Sequence, residues 1–430
     1  MSLVAWFPLQ GDLHNQGLDT ITLTKSNPTF TDDGKIGKCL SSGHKATEYF
    51  TPPSLVNGKQ LSVTYWARID IATTTNWLDG FCWYSTADGT TTSYSRQEFY
   101  SENTDKGTMN VGIWYAGGSN SGYTVSLYDW HHYALILDYS TGISKFYVDG
   151  ELKNIRTHVD TTHRLTGKMR LFDTNVDASE CDVRIFNHCL SDKEVKEIAK
   201  GLVAHYELSE PLQANDTTVY DCSGYNHHGV AIGTLPTNSD SPRYSSCTQF
   251  GHDANYIEFT NFTFMPQLLP DEWSFAFWVY NQDAGDRSII FSNYGLGGVG
   301  GNSFGFEKAA NECLRVAYVS GRFDKIIPNS EMAVNGWTHF VVTKTKAHLV
   351  SVYKNGVLVD SYTNENCASR GIQYRIGRDS REDTTRLKGR LSDFRIYATV
   401  LSAGDALGLY QTAGSIDNNG NIYAYELKEG

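Results

Sequence analysis

The chain has no concentration of positive charge. Its 48 Asp and Glu outnumber its 36 Lys and Arg, for a net charge of −12 over 430 residues. A nucleic-acid binder needs a basic footprint to neutralise phosphates, so no nucleic-acid partner is expected. No apolar run approaches the ~18–20 residues of a membrane-spanning helix, and membrane insertion is not expected either. The opening Met1-Ser2-Leu3-Val4-Ala5-Trp6-Phe7 has no basic leader and no long apolar stretch, which reads as no secretory signal. None of the 8 Cys forms C-x-x-C. Only Cys39 and Cys247 occupy similar places in the repeat described below, so the cysteines read as mostly buried thiols. Proline is scarce, at 10 residues, whereas Tyr is plentiful at 26 and aromatics reach 13%. The balance is that of a globular chain rich in strand formers.

What is present is a repeat of about 200 residues. Leu3-Val4-Ala5-Trp6-Phe7-Pro8-Leu9 matches Leu202-Val203-Ala204-His205-Tyr206-Glu207-Leu208. Leu61 to Ala67 matches Trp273 to Val279, and Asp129-Trp130-His131-His132-Tyr133 matches Gly336-Trp337-Thr338-His339-Phe340. Phe146 to Gly150 matches Val352 to Gly356, Asp182 to Phe186 matches Asp393 to Tyr397, and Leu190-Ser191 matches Leu401-Ser402. Val63, Tyr65, Ala67 and Ile69 alternate with Ser62, Thr64, Trp66 and Arg68, the period of a strand with one face inward. Asp149-Gly150 and Asn355-Gly356 predict two-residue hairpin turns. Ser191 with Glu194 predicts a capped helix that Gly201 can stop, and Ser402 with Asp405 repeats the start signal.

These blocks carry a resemblance. The opening aliphatic-aromatic strand, the Trp-x-His-aromatic strand, the Tyr-x-[Asp/Asn]-Gly hairpin and the closing strand before Leu-Ser together resemble the concanavalin A-like lectin/glucanase superfamily. The likeness is to its laminin-G-like and pentraxin-like branch and spans residues 3–413. It implies an all-β fold: two tandem concanavalin A-like jelly-roll β-sandwiches, each with a short C-terminal helix, over 1–200 and 201–413. A C-terminal β tail, 414–430, would follow. Ser415 to Gly430 is similar to the terminal segment of phage-encoded structural proteins that carry such modules.

Sandwich glucanases of this superfamily place Glu-x-Asp-x-x-Glu on one strand to aim their acids at the cleft. No Glu here has that spacing; Glu98 and Glu258 both fail at the second acid. Gly295 to Gly300 spells G-x-G-x-x-G and Gly301 to Gly305 spells G-x-S-x-G around Ser303. Neither has the helix and α/β setting its chemistry needs. His131-His132 and His227-His228 are neighbours on extended chain, where side chains diverge, so neither pair suits one metal ion. His132 and His339 read as structural residues under an aromatic layer. The family resemblance implies that Ca²⁺ could bind rim loops, with Asp32-Asp33-Gly34 and Asp379 to Asp383 as contributors.

A glycan site would use aromatic faces with nearby amides and acids. The candidates are Trp83-Tyr84, Trp114-Tyr115 and Tyr294. The expectation is a non-catalytic binding or adhesion module that meets host-surface glycans, a head or tail fibre or decoration protein of a phage virion. Residues 415–430 would contact other virion proteins. A purely structural virion part and a bacterial cell-surface lectin-like protein are the alternatives.

Overall fold

The computed structural model describes residues 3–25, 27–42, 48–51, 59–72, 78–84, 94–100, 108–114, 118–157, 167–172, 176–209, 217–223, 227–251, 255–259, 272–285, 287–293, 304–318, 325–364, 374–379, 385–416 and 422–426. The chain divides into two compact units, Met1–Lys200 and Gly201–Gly430.

Each unit is a pair of antiparallel sheets, and in each the period-two pattern decides which residues face inward. In the first unit one sheet runs Glu151–Thr157, Ile143–Val148, Trp130–Asp138, Gln60–Ala72, Val176–Phe186, Cys39–Ser42, Thr29–Thr31, with Leu3–Phe7 also on Val176–Phe186. The facing sheet runs Gly118–Ser126, Thr108–Trp114, Tyr94–Tyr100, Leu78–Tyr84, Met169–Leu171, Glu48–Phe50, Leu23–Thr24. Between them Phe7, Phe50, Val63, Tyr65, Phe81, Trp83, Tyr133 and Ile185 form the core. The second unit repeats this plan. Gly389–Tyr397, Trp273–Asn281 and Gly336–Lys344 are the adjoining central strands of one sheet, and Tyr374–Ile376, Ser288–Ser292 and Phe304–Lys308 are neighbours in the other. Its core is more aromatic: Trp273 stacks on Phe304 with centroids 4.9 Å apart. Phe275, Phe277, Phe291, Phe306 and Phe394 close around them. Each such ring removed from water contributes about 2–3 kcal/mol.

Both expected hairpins are present, with Asp149 and Gly150 at φ 51° and 79° and Asn355 and Gly356 at φ 49° and 78°. Two consecutive left-handed residues are what a tight hairpin with right-twisted strands requires. A helix, α1 (Asp192–Ala199), follows the last strand of the first unit, and α2 (Ala403–Gln411) that of the second. Ser191 and Glu194 cap α1 reciprocally. Ser402 and Asp405 do the same for α2, with backbone-to-side-chain bonds of 3.0 and 3.1 Å. These helices cover the outer face of one sheet in each unit. Under α2, Ala406 and Leu409 join Leu202, Ala276, Val341, Tyr353, Tyr397 and Leu401 in a second small core.

The seven described cysteines are free thiols: five are buried, and Cys189 and Cys222 are half-buried. The tail begins earlier than the sequence suggested. Strand Thr412–Ile416 starts directly at the end of α2 and pairs with Ile422–Glu426, and the two form a separate two-stranded sheet. The sequence between these two strands, Asn418-Asn419-Gly420-Asn421, has the composition of a turn and lies outside the described residues.

Candidate functional site

The outer face of each helix-covered sheet carries three successive rows of side chains, and the outermost row is the candidate site. The innermost row is built on a bulge. Asp182 and Asp393 sit at φ 54° and 55°, where the strand register slips against Gln60–Ala72 and Trp273–Asn281. The kink turns each carboxylate into the outer layer. Asp182 accepts from Trp6 Nε1 at 2.8 Å and from Arg184 Nε at 2.8 Å. Asp393 accepts from Arg395 Nε at 2.6 Å and Tyr244 Oη at 3.2 Å, and meets His205 Nε2 at 2.9 Å. Arg243 Nε lies 3.6 Å from its other oxygen. Burial alone would raise the Asp393 carboxyl, but Arg395, His205 and Arg243 hold it well below the ordinary range.

The middle row is Trp66 beside His132 and Trp278 beside His339, with ring centroids 5.3 and 5.0 Å apart. A cation sits over each indole, Lys35 at 5.5 Å and Arg243 at 5.7 Å. Both histidines are buried, as the sequence reading of structural histidines under an aromatic layer anticipates.

The outermost row reaches solvent. In the first unit Trp130 pairs with Arg68, and Arg68 pairs with Ser179 across three adjacent strands. The Arg68 guanidinium lies 5.4 Å from the Trp130 ring centroid. Arg68 bridges Asp33 at 3.0 Å and Asp70 at 2.6 Å, and Trp130 Nε1 donates to the Asp33 carbonyl at 3.2 Å. Burial would push the Asp33 carboxyl up, but hydrogen bonds from Thr31 and Arg68 outweigh it and hold it low. In the second unit the same row reads Trp337, Tyr280, Arg390. Arg390 lies 4.1 Å from the Tyr280 centroid, and Tyr280 meets Trp337 edge-on at 5.5 Å. Arg390 donates to Asp240 and, at 3.1 Å, to Gln249, which reaches Gln282 at 2.9 Å.

Each row therefore offers half-exposed aromatic surface, a guanidinium held rigid by partners, and outlying acceptors. Asp33 and Asp240 keep 57% and 59% of their side chains exposed, so they retain lone pairs for a ligand. Rings that stack on the apolar face of a sugar, beside fixed donors and acceptors for its hydroxyls, are the composition of a glycan site.

The sequence candidates fare differently. Trp83 is fully buried in the first core; its indole is a packing residue and cannot stack on a ligand there. Tyr84 and Trp114 lie in strands Leu78–Tyr84 and Thr108–Trp114, with their side chains outside the described residues. Tyr115 and Tyr294 lie wholly outside them, as do Gly295 to Gly300 and Ser303. Trp130 and Trp337 were visible as matched residues of the repeat but carried no exposure signal. Of the acids considered for Ca²⁺, Asp32 is paired with Lys38 at 3.0 Å and Asp33 with Arg68, and Asp379 is buried. No grouping of three or more His, Cys, Asp or Glu suited to a metal occurs among the described residues. Glu382 and Asp383 lie outside the described residues, and Asp32 and Asp33, each already bridged by a cation, do not by themselves supply the six or more oxygens that Ca²⁺ wants.

Two-sheet sandwiches of this plan, bearing a helix-covered face, define a class of lectin-like modules. The sequence model of the concanavalin A-like lectin/glucanases superfamily matches residues 43–196 and 251–406, and the chain belongs to that superfamily. No curated protein matches the sequence. Among solved structures, the chain is similar to domain 4 of an extracellular arabinanase from Geobacillus stearothermophilus. That match has 19% identity and a TM-score of 0.37, and covers 46% of this chain and 98% of that one. It is also similar to domains LG4-5 of the mouse laminin alpha1 chain, at 10% identity and a TM-score of 0.27 over 88% and 94% of the two chains. A sialidase from Trypanosoma rangeli matches at 12% identity and a TM-score of 0.38, over 90% of this chain and 62% of that one. None of these likenesses carries weight for function.

Proposed function

We propose that the chain is a carbohydrate-binding and adhesion module of a phage virion. In this reading it meets host-surface glycans through the outermost rows of its two units. The observation that carries the glycan reading is the recurrence of the row. Trp130, Arg68 and Asp33 in one unit and Trp337, Tyr280, Arg390 and Asp240 in the other assemble an aromatic, a guanidinium and an exposed carboxylate at the same place. No glycosidic cleavage is part of the proposal, because the acids of the sandwich glucanases are missing at their spacing.

A glycan array followed by titration of the retained sugars tests it. Trp130→Ala and Trp337→Ala should each weaken binding by about threefold to tenfold, the value of one ring–ligand contact, and the double variant by about tenfold to a hundredfold. Binding untouched in the double variant would move the site to Tyr84, Trp114, Tyr115 or Tyr294. A folded protein that retains no glycan would leave the structural virion part as the reading.

The tail supports a role in assembly. A lone two-stranded hairpin is marginal in water, and strand addition to an exposed sheet edge is a common docking mode. The paired strands Thr412–Ile416 and Ile422–Glu426 join no other strand among the described residues. Deleting residues 415–430 is expected to abolish self-association or particle incorporation while the melting temperature stays within a few degrees. A large fall in melting temperature with assembly intact would make the tail a packing element of its own unit.

A further inference from the structure

One arrangement in the first unit serves neither the core nor the rows. Ser126 Oγ lies 2.9 Å from His131 Nε2, and His131 Nδ1 lies 2.7 Å from Asp149 Oδ2. Ser126 ends strand Gly118–Ser126 of one sheet, and His131 follows at the start of Trp130–Asp138 of the other. The short crossing between the sheets therefore brings hydroxyl and imidazole together at one end of the sandwich. Asp149 is the first residue of the hairpin turn, and its Oδ1 accepts the His132 backbone N–H at 2.9 Å. That bond fixes the carboxylate and leaves Oδ2 for His131. Burial works to raise the Asp149 carboxyl, but the His131 contact and the His132 N–H outweigh it and hold it low. With Oδ2 accepting an Nδ1–H, the tautomer that results presents its Nε2 lone pair to the Ser126 hydroxyl.

The second unit shows that the frame does not need these residues. At the matched positions it carries Ala333, Thr338 and Asn355, and Asn355 Oδ1 still accepts the His339 N–H at 2.9 Å. The hairpin is braced equally well by an amide. Serine, histidine and carboxylate are thus present together in one unit and absent together from the other.

We infer that Ser126, His131 and Asp149 are a nucleophile–base–acid relay that hydrolyses small carboxylic esters. Ser126 Oγ adds to the ester carbonyl while its proton passes to His131 Nε2, and Asp149 holds the imidazolium. The C–O bond to the alcohol breaks, and the alcohol leaves with the proton from Nε2. Water then gives a proton to His131 and adds to the acyl-serine. The carboxylic acid departs and Ser126 regains its hydrogen. The site is open, with 16% of the His131 side chain and 45% of Asp149 exposed. Lys153 supplies positive charge on the same rim, its ammonium 4.3 Å from the centroid of Tyr123, a phenol that feels the Asp149 charge.

The full chain is tested with p-nitrophenyl acetate and with a fluorophosphonate probe mapped by peptide mass spectrometry. Wild type should be labelled at Ser126 and should turn over ester above background. Ser126→Ala should lose both. His131→Gln and Asp149→Asn should slow turnover by about a hundredfold or more. Asp149→Asn is the informative variant, since the second unit shows that an asparagine keeps the hairpin. It should melt within a few degrees of wild type and hold Nδ1 in the wrong tautomer. Wild-type turnover equal to that of Ser126→Ala, labelling at another serine, or full turnover in Asp149→Asn would each overturn the relay and leave a strut between turn and crossing.

Discussion

Acidification to about pH 4.5 is expected to destabilise each unit by about 2–3 kcal/mol relative to neutral pH through one buried histidine alone. Burial is the main cause, and it drives both His132 and His339 down to about 3. His132 faces Asp149, which works against the shift, and Arg184, which adds to it. His339 faces Arg243 and Arg395, which add to it, and Asp393, which opposes it. Among the described residues neither ring nitrogen of His132 has a hydrogen-bond partner. The direction follows from proton counting. Between the ordinary imidazole value near 6.5 and about 3, the unfolded chain binds a proton that the folded one refuses. Stability is therefore full above that window, falls as pH falls through it, and levels off below it. Each unit has one further histidine that burial lowers, His188 in the first and His227 in the second, so both units should lose stability over the same range. Urea titrations at several pH values, followed by tryptophan fluorescence, measure the slope. His132→Gln and His339→Gln should cost stability at neutral pH yet flatten the acid slope of their own unit. An unchanged slope in both would show that other groups govern acid unfolding.

Replacing Asp393 with alanine should cost the second unit about 3–5 kcal/mol, because it strands buried charge. Its carboxylate is the shared partner of Arg395 and Arg243, whose side chains are 1% and 0% exposed. With the acid gone, two guanidiniums face each other in a closed interior. The matched change in the first unit, Asp182→Ala, removes the carboxylate from one cation, Arg184, and from the Trp6 indole N–H, and that cation also has the Trp6 ring at 5.1 Å. It should cost less than the Asp393 variant. Thermal or urea unfolding that resolves the two units reads both values. A loss below about 1 kcal/mol for Asp393→Ala would mean that water reaches the cluster, as at exposed ion pairs.

Much of the fold was legible because it rests on local chemistry. The alternation of Val63, Tyr65, Ala67 and Ile69 places all four in the first core. Asp149-Gly150 and Asn355-Gly356 make the hairpins they announce, and Ser191 with Glu194 forms the expected cap. What could not be read depends on contacts between distant segments. The pairs Trp83-Tyr84 and Trp114-Tyr115 promise that one ring of each looks outward, but period two does not say which face the other sheet covers, and Trp83 is inside. The bulges at Asp182 and Asp393 leave no trace in a strand pattern: aspartate is among the non-glycine residues that turn left-handed most readily, yet most aspartates do not, so the residue type alone does not mark them. Ser126, His131 and Asp149 meet only because a crossing and a hairpin converge. The aromatic–arginine rows were hidden for a related reason, because Arg68 and Tyr280 stand at matched positions and look like a mismatch.

That mismatch bears on how such a site would be traced through relatives. In one unit the guanidinium comes from Arg68 with Ser179 as its cross-strand neighbour; in the other it comes from Arg390 with Tyr280 beside it. The charge has moved one strand sideways, from the middle of the sheet to its neighbour, and stayed in the same row. A comparison made column by column would score both positions as lost. What the duplication has inherited is a pair of adjacent columns, and only a test that lets the two vary together would find the site again.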